Sequence, residues 1–182
     1  MSFNGGKENI ILLHLTRYIT KNFTDPKIKV FYFVEETFDE VDEFINQTIS
    51  TFKFDLIRIK GENFKESLSK LLIIDPEIDS VLIGVRRSDP YCQKMNFFEP
   101  TTEGWPKCMR INPILNWSYD DVWNFIRILK IPYCSLYDEG YTSIGSKTTT
   151  KKNESLSKGN GEYHAAYELK DETLERDGRN KK

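Results

Sequence analysis

Apolar side chains crowd the stretch I-I-L-L-H-L-T-R-Y-I at residues 10–19 densely enough to predict a well-buried helix. V-F-Y-F-V at 30–34 is a block of β-branched and aromatic residues, the pattern of a strand covered on both faces. Val41, Phe44, Ile45, Thr48, Ile49 and Phe52 recur at spacings of three and four, which makes one apolar helix stripe. F-D-L-I-R-I at 54–59 reads as a second strand, 64–74 as another helix, and S-V-L-I-G-V at 80–85 as a third buried strand. Strand and helix alternate, so the pattern predicts an α/β fold with a parallel sheet and helices on both faces.

Farther along, N-W-S-Y-D-D-V-W-N-F-I starts one more helix. Ser118 is placed as its N-cap, Asp120 and Asp121 favour its first turn, and Val122, Phe125, Ile126 and Leu129 form its apolar face. After Gly145 the composition turns polar and lysine-rich, and residues 146–161 are expected to be a mobile surface loop. One domain spanning 1–182 is expected, large enough for a real core.

Composition narrows the function classes. A formal charge of -2 gives no general basic surface for nucleic acid. No run of about 18 apolar residues offers a membrane span, and no basic-then-apolar leader is visible. Cys92, Cys108 and Cys134 are odd in number and form no C-x-x-C pair, so a reduced, cytoplasmic chain without disulfide or zinc is expected. A monomer is expected too. With only His14 and His164, histidine metal chemistry has little to work with.

Candidate chemistry begins at the first residues, S-F-N-G-G-K-E, directly ahead of the first helix. Backbone N–H groups around Asn4, Gly5 and Gly6 could hold a pyrophosphate at a helix N-terminus, with Lys7 adding charge; a frayed terminus is the competing reading. The stretch is neither a Walker A loop nor a G-x-G-x-x-G fingerprint. In a doubly wound sheet a strand should carry such a loop, yet only three residues precede it, so that first strand is missing or reduced to a stub. G-V-R-R-S-D-P at 84–90 follows the third strand. There Arg86 and Arg87 could clamp phosphate and Asp89 could bind magnesium, or the segment is a solvated turn. In G-W-P-K-C-M-R, Trp105 and Arg110 pair an aromatic face with a cation, suited to a flat ring bearing a phosphate or to anchoring a loop. Tyr137 and Tyr141 read as packing residues, and Arg176 and Arg179 stand three apart in L-E-R-D-G-R.

Taken in order, S-F-N-G-G-K, G-V-R-R-S-D-P-Y, G-W-P-K-C-M-R-I-N-P-I-L-N-W-S-Y-D-D-V-W, P-Y-C-S-L-Y-D-E-G-Y-T-S-I-G-S and Y-E-L-K-D-E-T-L-E-R-D-G-R resemble the eukaryotic FAD synthases, the ATP:FMN adenylyltransferases of the phosphoadenylyl-sulfate reductase-like family. The resemblance covers nearly the whole chain except the lysine-rich loop. It implies a doubly wound, mostly parallel sheet of the adenine nucleotide α-hydrolase-like kind. It also implies transfer of AMP from ATP to the phosphate of FMN, giving FAD and pyrophosphate, with magnesium.

Carried over by position, the resemblance gives Asn4, Lys7 and Asp89 catalytic parts. Ser2, Gly5, Gly6, Lys7 and Arg87 fall to ATP and pyrophosphate; Thr102, Trp105, Arg110, Asn112, Arg176 and Arg179 to FMN; Glu8 and Asp89 to the metal. Glu8 stands where the family loop G-G-K-D has aspartate, and Thr102 stands where relatives carry an aspartate three residues before the W-P tryptophan. With those departures and a shortened first strand, a flavin- or nucleotide-binding module without turnover is the alternative reading. Sulfate-reductase chemistry is disfavoured, because no cysteine lies beyond Cys134.

Overall fold

The computed structural model describes residues 1–24 and 28–180. Helix α1 runs Lys7–Thr20, strand β1 Val30–Phe33, α2 Asp39–Phe52, β2 Leu56–Ile59, α3 Phe64–Ile74 and β3 Ser80–Leu82. Two further short strands, β4 (Phe98–Pro100) and β5 (Met109–Ile111), precede α4 (Tyr119–Ile128), and short 3₁₀ turns punctuate the described residues after it. β1 pairs with β2 in parallel, β3 with β5 in parallel, and β4 with β5 antiparallel.

Residues 1–3 join these two sets. Ser2 bridges Phe31 in parallel. The Phe31 N–H donates to the Met1 carbonyl at 3.0 Å, Phe3 N–H to the Phe31 carbonyl at 2.9 Å and Ser2 N–H to the Leu82 carbonyl at 3.1 Å. The order across the sheet is therefore β2, β1, the 1–3 stub, β3, β5, β4. The stub expected from the sequence sits at the centre, buried through Met1 and Phe3. From it the chain winds outward to β1 and β2, then crosses back by α3 to β3 on the other side. The stub thus ends at a topological switch point, where open α/β sheets place their ligands.

Both faces are covered. Val30 and Tyr32 point into a core with α1, α2 and α4, while Phe31 joins Ile59, Leu68, Leu71 and Val81 on the α3 side. The α4 cap is as expected: Ser118 Oγ accepts from the Asp121 N–H at 3.0 Å and Asp121 returns the bond to the Ser118 N–H at 2.8 Å. Such a capping box satisfies two otherwise unpaired helix donors.

Two expectations need correction. The third strand stops at Leu82 rather than Val85, because the chain leaves the sheet at Gly84, where a Cβ would lie 2.7 Å from Asn9 Oδ1 and 2.9 Å from Glu8 Cβ. Residues 146–161, expected as a mobile loop, carry two 3₁₀ turns, Lys147–Thr149 and Glu154–Leu156. Asn153 there is 0% exposed. Its Nδ2 donates to Thr142 Oγ1 at 2.9 Å and to the Leu174 carbonyl at 2.8 Å, and Leu156 enters the core. A polar side chain with that many partners is interior structure.

Candidate active site

Gly5 holds φ +76°, a left-handed conformation natural to glycine, and turns the chain from the central stub into α1. Asn4 closes the turn: its Oδ1 accepts from the Gly6 N–H at 3.0 Å and from Asn9 Nδ2 at 2.5 Å. The Lys7 N–H donates to Tyr137 Oη at 3.1 Å. Of the backbone donors expected to cradle phosphate, the Gly6 N–H is thus already engaged, and the Asn4 amide nitrogen is left as the side-chain donor of the turn. Tyr137, which the sequence suggested only for packing, is the strut beneath it; burial raises its phenol well above the usual range.

Behind the turn lies a set of four charges, three of them buried and the fourth, Glu8, reaching the cavity. Lys7 is 2% exposed, and its Nζ sits 2.6 Å from Glu175 Oε1, 3.0 Å from Glu8 Oε1 and 3.0 Å from the Thr142 carbonyl. Arg86 is 1% exposed; its Nε is 3.2 Å from Glu8 Oε1 and its Nη2 bonds Glu175 Oε2. Burial alone would lower Lys7, but the Glu175 and Glu8 carboxylates outweigh it and hold the ammonium above its ordinary value. Glu175 is the mirror case: burial would raise it, and Lys7 and Arg86 hold it below.

In front of the turn is a polar cavity of about 320 Å³, bordered among others by Asn4, Lys7, Glu8, Asp89, Arg176 and Arg179. Asp89 is fixed from two sides, by the Arg86 N–H at 2.9 Å and by Arg176 Nη1 at 3.2 Å. Arg179 has a buried Nε with no partner. Burial, then repulsion from Arg176, lowers its guanidinium from the ordinary value. Two adjacent cations, one of them short of partners, form a place where an anion is stabilised.

A second, mostly apolar cavity of about 290 Å³ lies on the α3 side, bordered by Phe31, Phe33, Val81, Thr102, Trp105 and Arg110. Trp105 is 41% exposed. Arg110 donates to the Pro100 carbonyl at 3.1 Å while its Nε is buried without a partner. A third, smaller cleft runs along Tyr32, Glu35, Thr37 and Gly145 to Asn4. Phe64, the first residue of α3, borders all three.

Of the expected site residues, the fold brings Asn4, Gly6, Lys7, Glu8, Asp89, Arg176 and Arg179 to one cavity and Thr102, Trp105 and Arg110 to another. Gly5 is buried behind the turn, against Val41 and Ile45. Ser2 borders the apolar cavity and the cleft but not the polar cavity. Arg87 points elsewhere: its Nε donates to Asn116 Oδ1 at 2.6 Å and its Nη1 to the Gln93 and Met95 carbonyls, so it pins the following loop, and Arg86 is the arginine turned inward. Asn112 is fully buried and donates to the Asn96 carbonyl at 2.8 Å, away from the cavities. Glu8 Oε1 is already shared by two cations, a poor state for a metal ligand. Phe64 and Glu175 were not anticipated. Nothing local marks Phe64, but Glu175 sits directly before an arginine already under suspicion.

For magnesium, the described residues contain no group of three or more His, Cys, Asp or Glu side chains that could hold a metal. Asp89 fits as a single protein ligand: it borders the cavity, and each of its oxygens has one partner, the Arg86 N–H or Arg176, which leaves a lone pair apiece where Glu8 Oε1 has none. Magnesium often takes one or two carboxylates and completes its shell with substrate phosphates and water.

Comparison with known proteins places the chain. The profile of the phosphoadenosine phosphosulfate reductase domain matches residues 1–73 and 58–152. The probable FAD synthase of Schizosaccharomyces pombe is 41% identical over 99% of this chain and 71% of its own length. That of Caenorhabditis elegans is 38% identical over 97% of this chain, which spans 35% of the nematode protein. The crystal structure of Candida glabrata FMN adenylyltransferase in complex with FMN and the ATP analogue AMPCPP superposes with a TM-score of 0.90 at 25% identity, covering 98% of this chain and 79% of that one. Among the described residues no helix is long and apolar enough to cross a membrane. The chain belongs to the FAD synthase family, built on the phosphoadenosine phosphosulfate reductase domain.

Proposed function

We propose that this chain joins ATP and FMN, a phosphate oxygen of FMN attacking the α-phosphorus of ATP while the bond to the β-phosphate oxygen breaks, with FAD and pyrophosphate as products. The observation that carries this reading is the polar cavity itself: the glycine turn and Asp89 border it with two arginines from the far end of the chain, beside a large apolar cavity bearing Trp105. A flavin ring suits the apolar cavity. Adenosine is left the cleft that meets the polar cavity at Asn4, which at about 50 Å³ must open to take it.

The residues act by placement and charge. The α1 N-terminus and the Asn4 amide nitrogen take the β- and γ-phosphates. Arg176 and Arg179 aim the FMN phosphate, and fixing two reactants in line accounts for much of the acceleration in such transfers. Lys7 adds charge only from within its ion pairs. Asp89 would hold magnesium, which would supply neutralisation of the charge on the leaving pyrophosphate. No covalent nucleophile is needed. We further place the enzyme in the cytoplasm as a monomer, in keeping with its three free cysteines.

Pyrophosphate release measured with purified protein, ATP, FMN and magnesium tests this. FAD and pyrophosphate should form in equal amounts, and neither without FMN. Tight flavin binding with no pyrophosphate at high enzyme concentration would instead identify a binding module.

A further inference from the structure

We propose that Glu175 is a positioning residue for the reaction, the anchor that holds the arginine segment against the glycine turn; this rests on the adenylyl transfer read above. The segment around it has little regular structure, a 3₁₀ turn at Glu172–Leu174 and one antiparallel bridge from Arg179 to Thr150. Its backbone bonds to the rest of the chain run to residues 149–151, so its placement against α1 and the turn after β3 depends on side chains, and Glu175 supplies two such ties and a third through its carbonyl. Oε1 takes Lys7 at the start of α1, Oε2 takes Arg86 from the turn after β3, and its carbonyl accepts from Thr142 Oγ1 at 2.6 Å.

The next residue, Arg176, reaches Asp89, and Arg179 packs on Gly145. One carboxylate thus ties the helix start, the post-strand turn and the C-terminal segment together behind the cavity. The four charges cancel, Lys7 and Arg86 against Glu8 and Glu175. The net pull on an incoming phosphate then comes from the arginines that Glu175 places.

The consequence is selective. Without the Glu175 charge, the glycine turn keeps its Tyr137 and Asn4 hydrogen bonds, and Lys7 keeps Glu8. The arginine segment keeps Asp89, Thr142, Asn153, the Tyr119 N–H on Glu172 and its backbone bonds to Thr149 and Lys151, but loses its ties to Lys7 and Arg86. FMN, whose phosphate the arginines hold, should suffer more than ATP.

The test is equilibrium binding to the full chain, FMN by quenching of its fluorescence and α,β-methylene ATP by calorimetry, for the wild type, Glu175→Gln and Glu175→Asp. Glu175→Gln should weaken FMN about tenfold or more and the ATP analogue by less than about threefold, the loss expected for a charge-assisted contact. Glu175→Asp, long enough for one of the two cations, should fall between. Glu175→Gln with FMN affinity within about twofold of the wild type, or an equal loss of both ligands, would overturn the proposal. If Glu175→Gln does not fold, Glu175→Asp decides alone: FMN binding about three- to tenfold weaker supports the assignment, and wild-type affinity refutes it. A wild type that binds both ligands but makes no FAD would sink the reaction while leaving this comparison readable.

Discussion

The Lys7 ammonium lies 2.6 Å from Glu175 Oε1, on a residue 168 positions farther along the chain. That contact closes the molecule on itself, with the first helix and the segment around Glu175 meeting behind one cavity. Both partners are almost wholly buried, and breaking such a pair by removing one partner leaves an uncompensated interior charge.

Stability should therefore fall on the acid side. Glu175 titrates below its ordinary value in the folded chain, so the stability it adds is complete above the unfolded value of about 4.3 and is lost as pH drops through the folded value. Lys7 titrates above its ordinary value, so its contribution holds below about 10.4 and is lost only as pH rises through the folded value. Thermal unfolding between pH 3 and 7 checks the acid limb (about the range that carboxylates titrate); a midpoint unchanged down to about pH 3 would contradict it.

Gly145→Ala should separate binding from folding. A Cβ at Gly145 would fall inside the Arg179 guanidinium, the free end of a flexible side chain, which can swing away. Stability should change by less than about 0.5 kcal/mol, while the KM for FMN rises about tenfold, the equivalent of one lost charge-assisted hydrogen bond. An unchanged KM would mean that Arg179 does not touch FMN.

Gly84→Ala should do the opposite. Its Cβ would meet Asn9 Oδ1 and Glu8 at the helix start, with backbone carbon at 3.2 Å. Overpacking of this kind costs roughly 1–3 kcal/mol, and denaturant unfolding should show it together with reduced turnover. A variant as stable as the wild type would contradict the close approach of Gly84 to α1.

How much of this was legible depends on how local each signal is. The α4 cap could be read because Ser118 and Asp121 satisfy each other within one turn. The stub could be read because a glycine turn ahead of a helix needs a strand before it, and residues 1–3 supply it. Residues 146–161 could not, since the partners of Asn153 lie at Thr142, Gly140 and Leu174; a polar run looks solvated until the chain folds over it. Which of Arg86 and Arg87 turns inward was likewise undecidable from neighbours in sequence. The carboxylates that draw Arg86 in are Glu8 and Glu175, distant in both directions.

Trp105→Ala should cost flavin affinity alone. The indole borders the apolar cavity and not the polar one, and loss of an aromatic pair is worth about 1 kcal/mol beyond its buried area. The KM for FMN should rise about fivefold or more with the KM for ATP unmoved. Equal shifts in both would place the flavin elsewhere.

The phosphorus of ATP that ends up in the flavin product decides the central claim. Given FMN, magnesium and ATP labelled at either the α- or the γ-phosphorus, the α label should appear in FAD and the γ label only in pyrophosphate. No labelled flavin from α-labelled ATP, or label passing to flavin from the γ position, would contradict attack by FMN at the glycine turn.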